Sequence, residues 1–396
     1  MGGSAGTAGT PPACEDGSEC DDSEPICDEG TCRGCEEHSE CVSLVCRPDG
    51  ACEDASAVVY ALAATGSSDT ECGSFDEPCL LPSVAATHLS AARPFLVFIQ
   101  TPAAFEDFDA MELPDGVDVT ILGNLVEIVA ANARVVTANG GIVQLDELVA
   151  TSPVAGAGIG SSVHMVGGTL RVRDSTIEGN QVGIYASETD LHVEGSVFIH
   201  NTDVGILNLC DGCDGLGSPV IERNRFEGIP VAIDARVPGT VIRNNLFVEV
   251  ATSEYSQGVL LEGDMSTLEF NTFIRSGCCS NTGLIRCGDA ALGALLRGNI
   301  TFLSTTLSED GTGPCYDQVY VGCPNPTYSL SEVTFPGAGN VAGDPGFVDD
   351  GSGDYRLTSD SIAVDLVQSS DGPDDDYDGN PRPVGDDRDA GAFERQ

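Results

Sequence analysis

Two glutamates in consecutive copies of a repeated pattern are the first candidates for chemistry in this sequence. A Val or Ile precedes each of them, Glu194 and Glu222, and a Ser or Asn follows two positions later. If the two copies are neighbouring β-strands, their carboxylates lie about 4.8 Å apart. That separation suits a shared Ca²⁺ ion or an acid/base pair of the kind that retaining glycosidases use. The alternative interpretation is structural, with Arg173 and Arg243 in the flanking copies neutralising both charges.

A second candidate is an acidic run near the C-terminal end of the sequence. Asp374, Asp376 and Asp378, followed by a glycine, match the D-x-D-x-D-G start of a calcium-binding loop. The twelfth position, where an EF-hand has Glu, holds Gly385, but two aspartates follow it immediately. The spacing predicts a Ca²⁺ site formed by these three aspartates, with a solvated acidic turn as the alternative.

Both glutamates belong to six copies of one pattern, which are spaced by 21, 28, 21, 26 and 28 residues. Each copy has an apolar residue, a charged residue and then, two positions later, Ser or Asn. The charged residues are Arg173, Glu194, Glu222, Arg243, Glu269 and Arg297. The Ser and Asn residues are Ser175, Ser196, Asn224, Asn245, Asn271 and Asn299. Such a repeat predicts a solenoid whose apolar residues form the core and whose Ser and Asn residues lie in bends.

The charged residues of neighbouring copies are expected to face each other. Opposite charges then meet at every step except that from Glu194 to Glu222, which favours this register by about a few tenths of a kcal/mol per exposed pair. His164, His192 and His200 are expected to be surface or packing residues. Arg171 and His192 occupy equivalent positions and are expected to share one face.

Composition excludes several functional classes. The formal net charge is −46, all 17 basic residues are Arg, and Trp is absent. So acidic a surface repels nucleic acid and anionic lipid, and the absence of Lys excludes Schiff-base and Lys-base chemistry. No run of 18 apolar residues occurs, so no transmembrane segment is predicted. We expect a monomer that does not bind nucleic acid.

Eight of the 17 cysteines lie between Cys14 and Cys52 and form two similar halves. The first half contains Cys14, Cys20, Cys27 and Cys32, and the second contains Cys35, Cys41, Cys46 and Cys52. Halves this small are expected to be held by two disulfides each, with the connectivity open. Zinc binding is the weaker alternative, because the only C-x2-C spacing here, Cys32/Cys35, has no second copy.

The remaining cysteines are also expected to form local disulfides. Cys72 and Cys79 are predicted to close one turn, Cys210 and Cys213 a second, and Cys315 and Cys323 a third. One thiol is left over, and it is predicted to be among Cys278, Cys279 and Cys287. This cysteine usage is typical of extracellular or cell-surface proteins, although the N-terminus lacks the apolar core of a signal peptide, so the leader is expected to be missing from this chain.

Changes in composition predict five segments. A cap helix over residues 81–92 and strands over residues 95–99 and 117–122 are expected to begin the solenoid. The predicted segments are a flexible tether (1–13), a Cys-rich module (14–52), a linker (53–70), the solenoid (71–340) and an Asp-rich C-terminal segment (341–396).

From about residue 72 to 340 the pattern resembles the right-handed parallel β-helix repeats of the pectate-lyase-like superfamily. The C-terminal segment resembles the choice-of-anchor segments that follow many bacterial β-helices, through Asp344-Pro-Gly-Phe347, Asp354-Tyr-Arg-Leu357 and Asp389-Ala-Gly-Ala-Phe-Glu394. The first resemblance implies an all-β solenoid and, in lyases, a Lys or Arg base beside Ca²⁺-binding acids. The second implies an association with surface proteins.

These observations favour a secreted or surface-tethered protein with a non-catalytic binding or structural role toward glycans or other surface molecules. The alternative is a Ca²⁺-dependent polysaccharide lyase or a glycoside hydrolase acting on extracellular polysaccharide. The absence of Lys, of Trp for sugar stacking and of a matching acid/base triad weighs against the enzyme. The frequency of such enzymes on this fold favours the enzyme interpretation. Its candidate catalytic residues are Glu194 and Glu222.

Overall fold

The computed structural model describes most of the chain from Cys14 to the C-terminus. The described residues are 14, 20–21, 23–101, 103–130, 134–151, 160–211, 216–251, 257–276, 283–302, 319–368 and 372–396. The predicted tether, residues 1–13, lies outside them. No helix in these ranges is long and apolar enough to cross a membrane.

The predicted all-β parallel β-helix is confirmed, because the chain winds repeatedly through three parallel sheets. Sheet 1 contains the charged residues of the repeat. Its strands are Val58–Ala61, Phe95–Phe98, Val119–Leu122, Ile142–Asp146, Thr169–Arg173, Asp190–Glu194, Val220–Glu222, Val241–Arg243, Thr267–Glu269 and Leu295–Arg297. Each strand pairs with the equivalent strand of the next rung, so hydrogen bonds between rungs satisfy the backbone.

Sheets 2 and 3 complete each rung. The strands of sheet 2 are Phe105–Phe108, Glu127–Ala130, Val149–Thr151, Thr176–Glu178, Val197–Ile199, Arg225–Glu227, Leu246–Val248, Thr272–Ile274, Ile300–Phe302, Leu330–Ser331 and Val341–Ala342. The strands of sheet 3 are Met111–Glu112, Val136–Asn139, Ser161–Val166, Val182–Ser187, Val204–Leu209, Val231–Ala235, Val259–Leu261, Ile285–Cys287 and Tyr320–Val321.

A two-residue bend joins sheet 1 to sheet 2. Its first residue has a positive φ, as at Asp174 (48°) and Arg223 (55°), a conformation that costs about 1 kcal/mol or more for a residue with a Cβ. The second residue is the repeated Ser or Asn, which is fully buried. Asn224, for example, donates its backbone N–H to Asn245 Oδ1 at 2.9 Å, and Asn245 donates in the same way to Asn271. These ladder bonds offset the cost of the bend.

The core lies between the three sheets and consists of the inward residues of every rung. Four phenylalanines of sheet 2 stack along the axis with centroid separations of 4.9, 5.0 and 4.4 Å. These residues are Phe198, Phe226, Phe247 and Phe273, and all four are fully buried. Since each rung buries its inner face only against its neighbours, the core is continuous along the solenoid.

The N-terminal end differs from the sequence prediction. The strand Val58–Ala61 is wholly buried and pairs with Phe95–Phe98, so the linker interpretation of residues 53–70 is wrong there. Its short apolar run was hidden among alanines and serines. The cap helix, expected over residues 81–92, spans only Pro82–Ala86. Beyond the helix, the chain reverses through a bridge between Ser90 and Arg93 before the next strand.

The Cys-rich module has the same disulfide connectivity in both halves. Within each half the first cysteine bonds to the third and the second to the fourth. The bonds are Cys14–Cys27, Cys20–Cys32, Cys35–Cys46 and Cys41–Cys52. The first half contains the hairpin of Ile26–Asp28 and Thr31–Arg33, and 3-10 turns follow at His38–Glu40 and Ala55–Ala57. Cys72 and Cys79 are also bonded to each other.

The C-terminal segment, residues 341–396, continues directly from the solenoid. Its first residues, Val341–Ala342, form the last strand of sheet 2. An antiparallel hairpin of Phe347–Asp349 and Asp354–Leu357 follows. A 3-10 turn at Asp289–Gly293 lies earlier, between sheets 3 and 1.

Candidate functional site

The outer face of sheet 1 is apolar at its N-terminal end, and the Cys-rich module covers it. Tyr60, Val97 and Leu122 stand in register on this face and form a buried cluster with Val45 of the module. The Tyr60 hydroxyl donates to the carbonyl of Ser43 at 3.0 Å. The module therefore packs on the solenoid and is not a separate, freely tethered unit.

Beyond this patch the same outward column becomes charged. Asp146 occupies the next rung, and the six charged repeat residues follow it in the predicted register. The arginines pair with the acid on the preceding rung. The N–O distances are 3.0 Å for Arg173–Asp146, 2.6 Å for Arg243–Glu222 and 2.6 Å for Arg297–Glu269. The column is thus a series of separate ion pairs.

Glu194 and Glu222 are neighbours in register, as the sequence predicted. Glu222 is paired with Arg243, but Glu194 is paired with Arg223, which lies in the bend that follows Glu222. The expectation that Arg173 neutralises Glu194 is therefore wrong. Arg173 faces an acid on each side and makes a two-pronged contact with Asp146, which leaves Glu194 to Arg223.

Arg223, which the repeat pattern does not single out, joins three parts of the chain. Its guanidinium contacts Glu194 on one side and Asp375 of the C-terminal segment on the other. The amide of Asn244, in the next bend, donates to the carbonyl of Asp375 at 2.9 Å. Arg223 lies in a bend and not at one of the repeated charged positions, so neither the pattern nor the spacing signalled this contact.

The three aspartates of the predicted calcium loop have different partners. Both carboxylate oxygens of Asp376 accept backbone N–H groups, from Asp378 at 3.0 Å and Asn380 at 2.8 Å on one side and from Glu394 at 3.0 Å on the other. Asp378 is paired with Arg356, and Asp374 with Arg388. The Asp376 carboxylate thus stabilises a tight turn through hydrogen bonds to the backbone. Calcium binding by this loop stays a prediction from the sequence.

A buried ion pair holds the C-terminal segment together. The Arg382 guanidinium lies 3.4 Å from the Glu394 carboxylate, and both side chains are fully buried. It also donates to the carbonyls of Asp389 and Gly391. Burial lowers the pKa of Arg382 to about 10, and it raises the pKa of both Asp389 and Glu394. Arg382 further packs over the Phe270 ring of the solenoid, 5.0 Å from the ring centroid.

One predicted disulfide is wrong. Cys323 bonds to Cys287 and not to Cys315, because the strands that contain or precede these residues are neighbours in sheet 3 and bring the two Cα atoms to 4.8 Å. Cys287 is therefore not the leftover thiol. Cys210 is disulfide-bonded. Cys213, its predicted partner, lies outside the described residues, as do Cys278, Cys279 and Cys315.

The C-terminal segment covers the outer face of sheet 2. Leu246, Val248 and Ile274 of that face form a buried cluster with Tyr355 and Phe393. A second cluster continues the contact around the last rungs of the solenoid. With the Cys-rich module on sheet 1, the described contacts of the two terminal elements therefore fall on sheets 1 and 2.

The third face of the solenoid is the outer face of sheet 3. Its central outward column combines aromatic, apolar and charged residues. In rung order these residues are His164, Tyr185, Leu207, Asp234, Leu260 and Arg286. The rings of His164 and Tyr185 stack with centroids 4.5 Å apart and planes inclined by 2°. The spacing of 21 residues between them equals one repeat and is the signal in the sequence that points to this stack.

His164 is neutral at physiological pH. Burial against the sheet, and secondarily the charge of Arg134, lower its pKa to about 4. Its Nδ1 lies 3.4 Å from the hydroxyl of Ser161. The stacked pair therefore places two uncharged aromatic rings beside the hydroxyl of Ser161, and such a combination of aromatic and polar groups is typical of small-ligand sites.

The other two histidines of the sequence analysis are not brought together with His164. His192 pairs with Arg171 in the sheet 1 register, as expected, and lies 3.3 Å from Asp190. His200 is exposed in a bend between sheets 2 and 3.

We expect the His164 ring to titrate with a midpoint near pH 4 when followed by NMR of its ring protons. The folded protein binds this proton less readily than the unfolded chain does. The contribution of His164 to the free energy of unfolding is therefore fully present above about pH 6.5, and it is lost as the pH falls from about 6.5 toward 4. The loss is about 1–2 kcal/mol after allowance for the solvent-exposed edge of the ring. In the Tyr185→Ala variant the midpoint moves upward. A wild-type midpoint near pH 6.5 would contradict the burial argument.

No family model matches the chain, and no curated protein matches it. Among solved structures, pectate lyase Pel9A is similar over 87% of this chain and 100% of its own, with 13% identity and a TM-score of 0.45. The fold assignment rests on the three parallel sheets. The chain is a parallel β-helix protein with a disulfide-rich module packed on one face and a C-terminal segment packed on another.

Proposed function

We propose that this protein is a secreted or surface-tethered β-helix protein with a non-catalytic binding and structural role toward extracellular glycans. The observation that carries the proposal is that Glu194 and Glu222 are each occupied by a separate arginine. A general acid or base must exchange a proton with substrate, and a pair of carboxylates must lie free to face it. Here the guanidinium groups of Arg223 and Arg243 bind the two carboxylates that a substrate would have to reach.

The outer face of sheet 3 is the proposed binding surface. It offers the stacked rings of His164 and Tyr185, with the apolar side chains of Leu207 and Leu260 further along the column. Polar groups accompany them, since the Asp234 carboxylate is paired with Arg236 at 2.8 Å. Aromatic faces with a few polar groups beside them are typical of sites that bind sugars and other small ligands.

An extracellular location is supported by the disulfides of the Cys-rich module and of the solenoid. Disulfides persist in oxidising compartments and are rare in the cytosol. The resemblance of the C-terminal segment to choice-of-anchor segments also supports attachment to a surface, by analogy.

Turnover and binding measured on one panel of polysaccharides test this proposal. Uronate release and reducing-sugar assays, with Ca²⁺ and again with a chelator, are expected to show no turnover above the blank. Retention on immobilised polysaccharide is expected to fall about fivefold for Tyr185→Ala, through loss of ring stacking. Leu125→Ala, on an exposed bend residue, is the matched control and is expected to bind as the wild type.

The lyase or hydrolase alternative has a clear signature in the same experiment. Turnover that is lost in Glu194→Gln or Glu222→Gln, and kept in Glu227→Gln, would establish it. Glu227 is the control because it is also a partly buried sheet glutamate paired with an arginine, Arg225. Turnover that requires Ca²⁺ would favour the lyase over the hydrolase.

A further inference from the structure

The eight cysteines of the Cys-rich module form two clusters of sulfur atoms, one in each half. In both halves the Sγ atoms of the first, second and fourth cysteines lie within 4.8 Å of one another. The third cysteine is bonded to the first, so its sulfur belongs to the same cluster. The two sets are Cys14, Cys20, Cys27 and Cys32, and Cys35, Cys41, Cys46 and Cys52. Four sulfurs this close together are the donor set of a tetrahedral site for a soft metal ion.

Backbone contacts hold each cluster together in addition to the disulfides. The third and fourth cysteines of each half are cross-strand partners. These pairs are Cys27 with Cys32 and Cys46 with Cys52. The N–H of the first cysteine donates to the carbonyl of a glycine in the turn before the fourth, from Cys14 to Gly30 at 3.1 Å and from Cys35 to Gly50 at 2.7 Å. None of these contacts involves sulfur, so they remain available when the S–S bonds are reduced.

Cysteines make up most of the interior of the module. Among the described residues of the first half, only Cys14 and Cys32 are buried. The second half buries three further residues beside its cysteines, namely Ser43, Val45 and Ala51. A unit with so small an apolar core needs cross-links or a metal ion to stay folded. In the thiol form, one metal ion bound by four thiolates would supply the connection that the two disulfides supply here.

The charge of the module also favours a cation. Residues 14–52 contain twelve acidic and two basic residues, so the module attracts divalent cations from solution. The missing second C-x2-C spacing counted against zinc in the sequence. In the folded module, however, the four sulfurs of each half meet across turns of the chain, which that spacing does not describe.

We propose that the thiol form of the Cys-rich module binds two Zn²⁺ ions, one to the four cysteines of each half. Each ion displaces four thiol protons to solvent, and Zn–S bonds of about 2.3 Å place the sulfurs about 3.8 Å apart. Conversion to the disulfide form releases the ion and passes two electrons per S–S bond to an oxidant, such as a protein disulfide that becomes two thiols. The zinc form and the disulfide form are thus alternative states of the same eight cysteines, independent of the proposed glycan binding.

The test is a metal titration of the full chain after reduction with a phosphine and removal of metal under argon. Co²⁺ is expected to give the absorption bands of tetrahedral thiolate coordination, which saturate at two ions per chain, and Zn²⁺ is expected to displace Co²⁺ and remove these bands. The oxidised chain is the control. Its module sulfurs are bonded to one another, so it is expected to give no such bands.

Variants and chemical protection locate the two sites. In the reduced chain, Cys20→Ser and Cys41→Ser are each expected to lower the saturation from two ions to one, whereas Cys287→Ser, outside the module, leaves it at two. Alkylation mapped by mass spectrometry gives a readout that needs no variant. Zn²⁺ is expected to slow alkylation of the eight module cysteines at least about tenfold and to leave the rates of Cys287 and Cys323 unchanged.

Three outcomes would overturn the proposal. They are the absence of thiolate–Co²⁺ bands in the reduced chain, a saturation that neither Cys20→Ser nor Cys41→Ser changes, and Zn²⁺ protection confined to cysteines outside the module. Failure here is distinguishable from failure of the sheet 3 proposal, because polysaccharide retention is measured on the oxidised protein and depends on Tyr185.

Discussion

Replacing Asn245 by Ala is expected to lower the free energy of unfolding by about 4 kcal/mol, since several buried polar groups lose their partner together. Asn245 Oδ1 accepts the backbone N–H of Asn224 at 2.9 Å. Its Nδ2 donates to the carbonyls of Ile221 and Arg243, at 2.8 and 2.9 Å, and to Asn271 Oδ1 at 3.0 Å. The side chain is fully buried, so water cannot replace these bonds.

Denaturant unfolding followed by circular dichroism measures this loss. The serine variant, Asn245→Ser, is expected to lose less, because Ser175 and Ser196 occupy equivalent ladder positions and accept N–H groups there. Asn139→Ala is the control: Asn139 is exposed and makes one side-chain bond, to Asp115. A loss below about 1 kcal/mol for Asn245→Ala would show that the ladder contributes little to stability.

Replacing Phe247 by Ala is expected to cost a similar amount, about 4 kcal/mol, through a different mechanism. Phe247 is fully buried between Phe226 and Phe273, whose ring centroids lie 5.0 and 4.4 Å away. Truncation leaves a cavity between the two neighbouring rings. The rungs cannot collapse into this cavity, because backbone hydrogen bonds hold them at the strand spacing.

The same unfolding measurement tests this prediction. Phe247→Leu is expected to lose only about 1 kcal/mol, since most of the volume is retained. Phe75→Ala, at a phenylalanine that is 53% exposed, is the matched control and is expected to lose much less. Equal losses in the buried and the exposed positions would contradict the importance of the stack.

The register of the solenoid was predictable because it depends on local repetition. The spacing of the apolar, charged and Ser or Asn positions brought Glu194 opposite Glu222 and aligned Asn224 with Asn245, as the structure has them. A one-residue slip would turn the core residues outward, so the hydrophobic pattern allows a single alignment.

The choice of ion-pair partner was not predictable in the same way. Arg173 stands between two acids one rung away on either side, Asp146 and Glu194, and the repeat does not distinguish them. In the structure the Arg173 guanidinium makes its hydrogen bonds to Asp146. Glu194 pairs instead with Arg223, a residue of the bend. The linker prediction over residues 53–70 was wrong for a related reason: Val58–Ala61 is a strand because it pairs with Phe95–Phe98, and not because of its composition.

The sequence by itself determined the parallel β-helix, its register and the disulfide-rich nature of the N-terminal module, because each depends on residues that recur at short, regular spacing. Only the tertiary structure decided which faces are covered. The contact between Arg223 and Asp375 joins residues 152 positions apart, and the pairing of Cys287 with Cys323 depends on neighbouring rungs. Such contacts are set by where the chain returns in space. The pairing of Glu194 with Arg223 is decided in the same way, and the outer face of sheet 3 is the surface that we propose for binding.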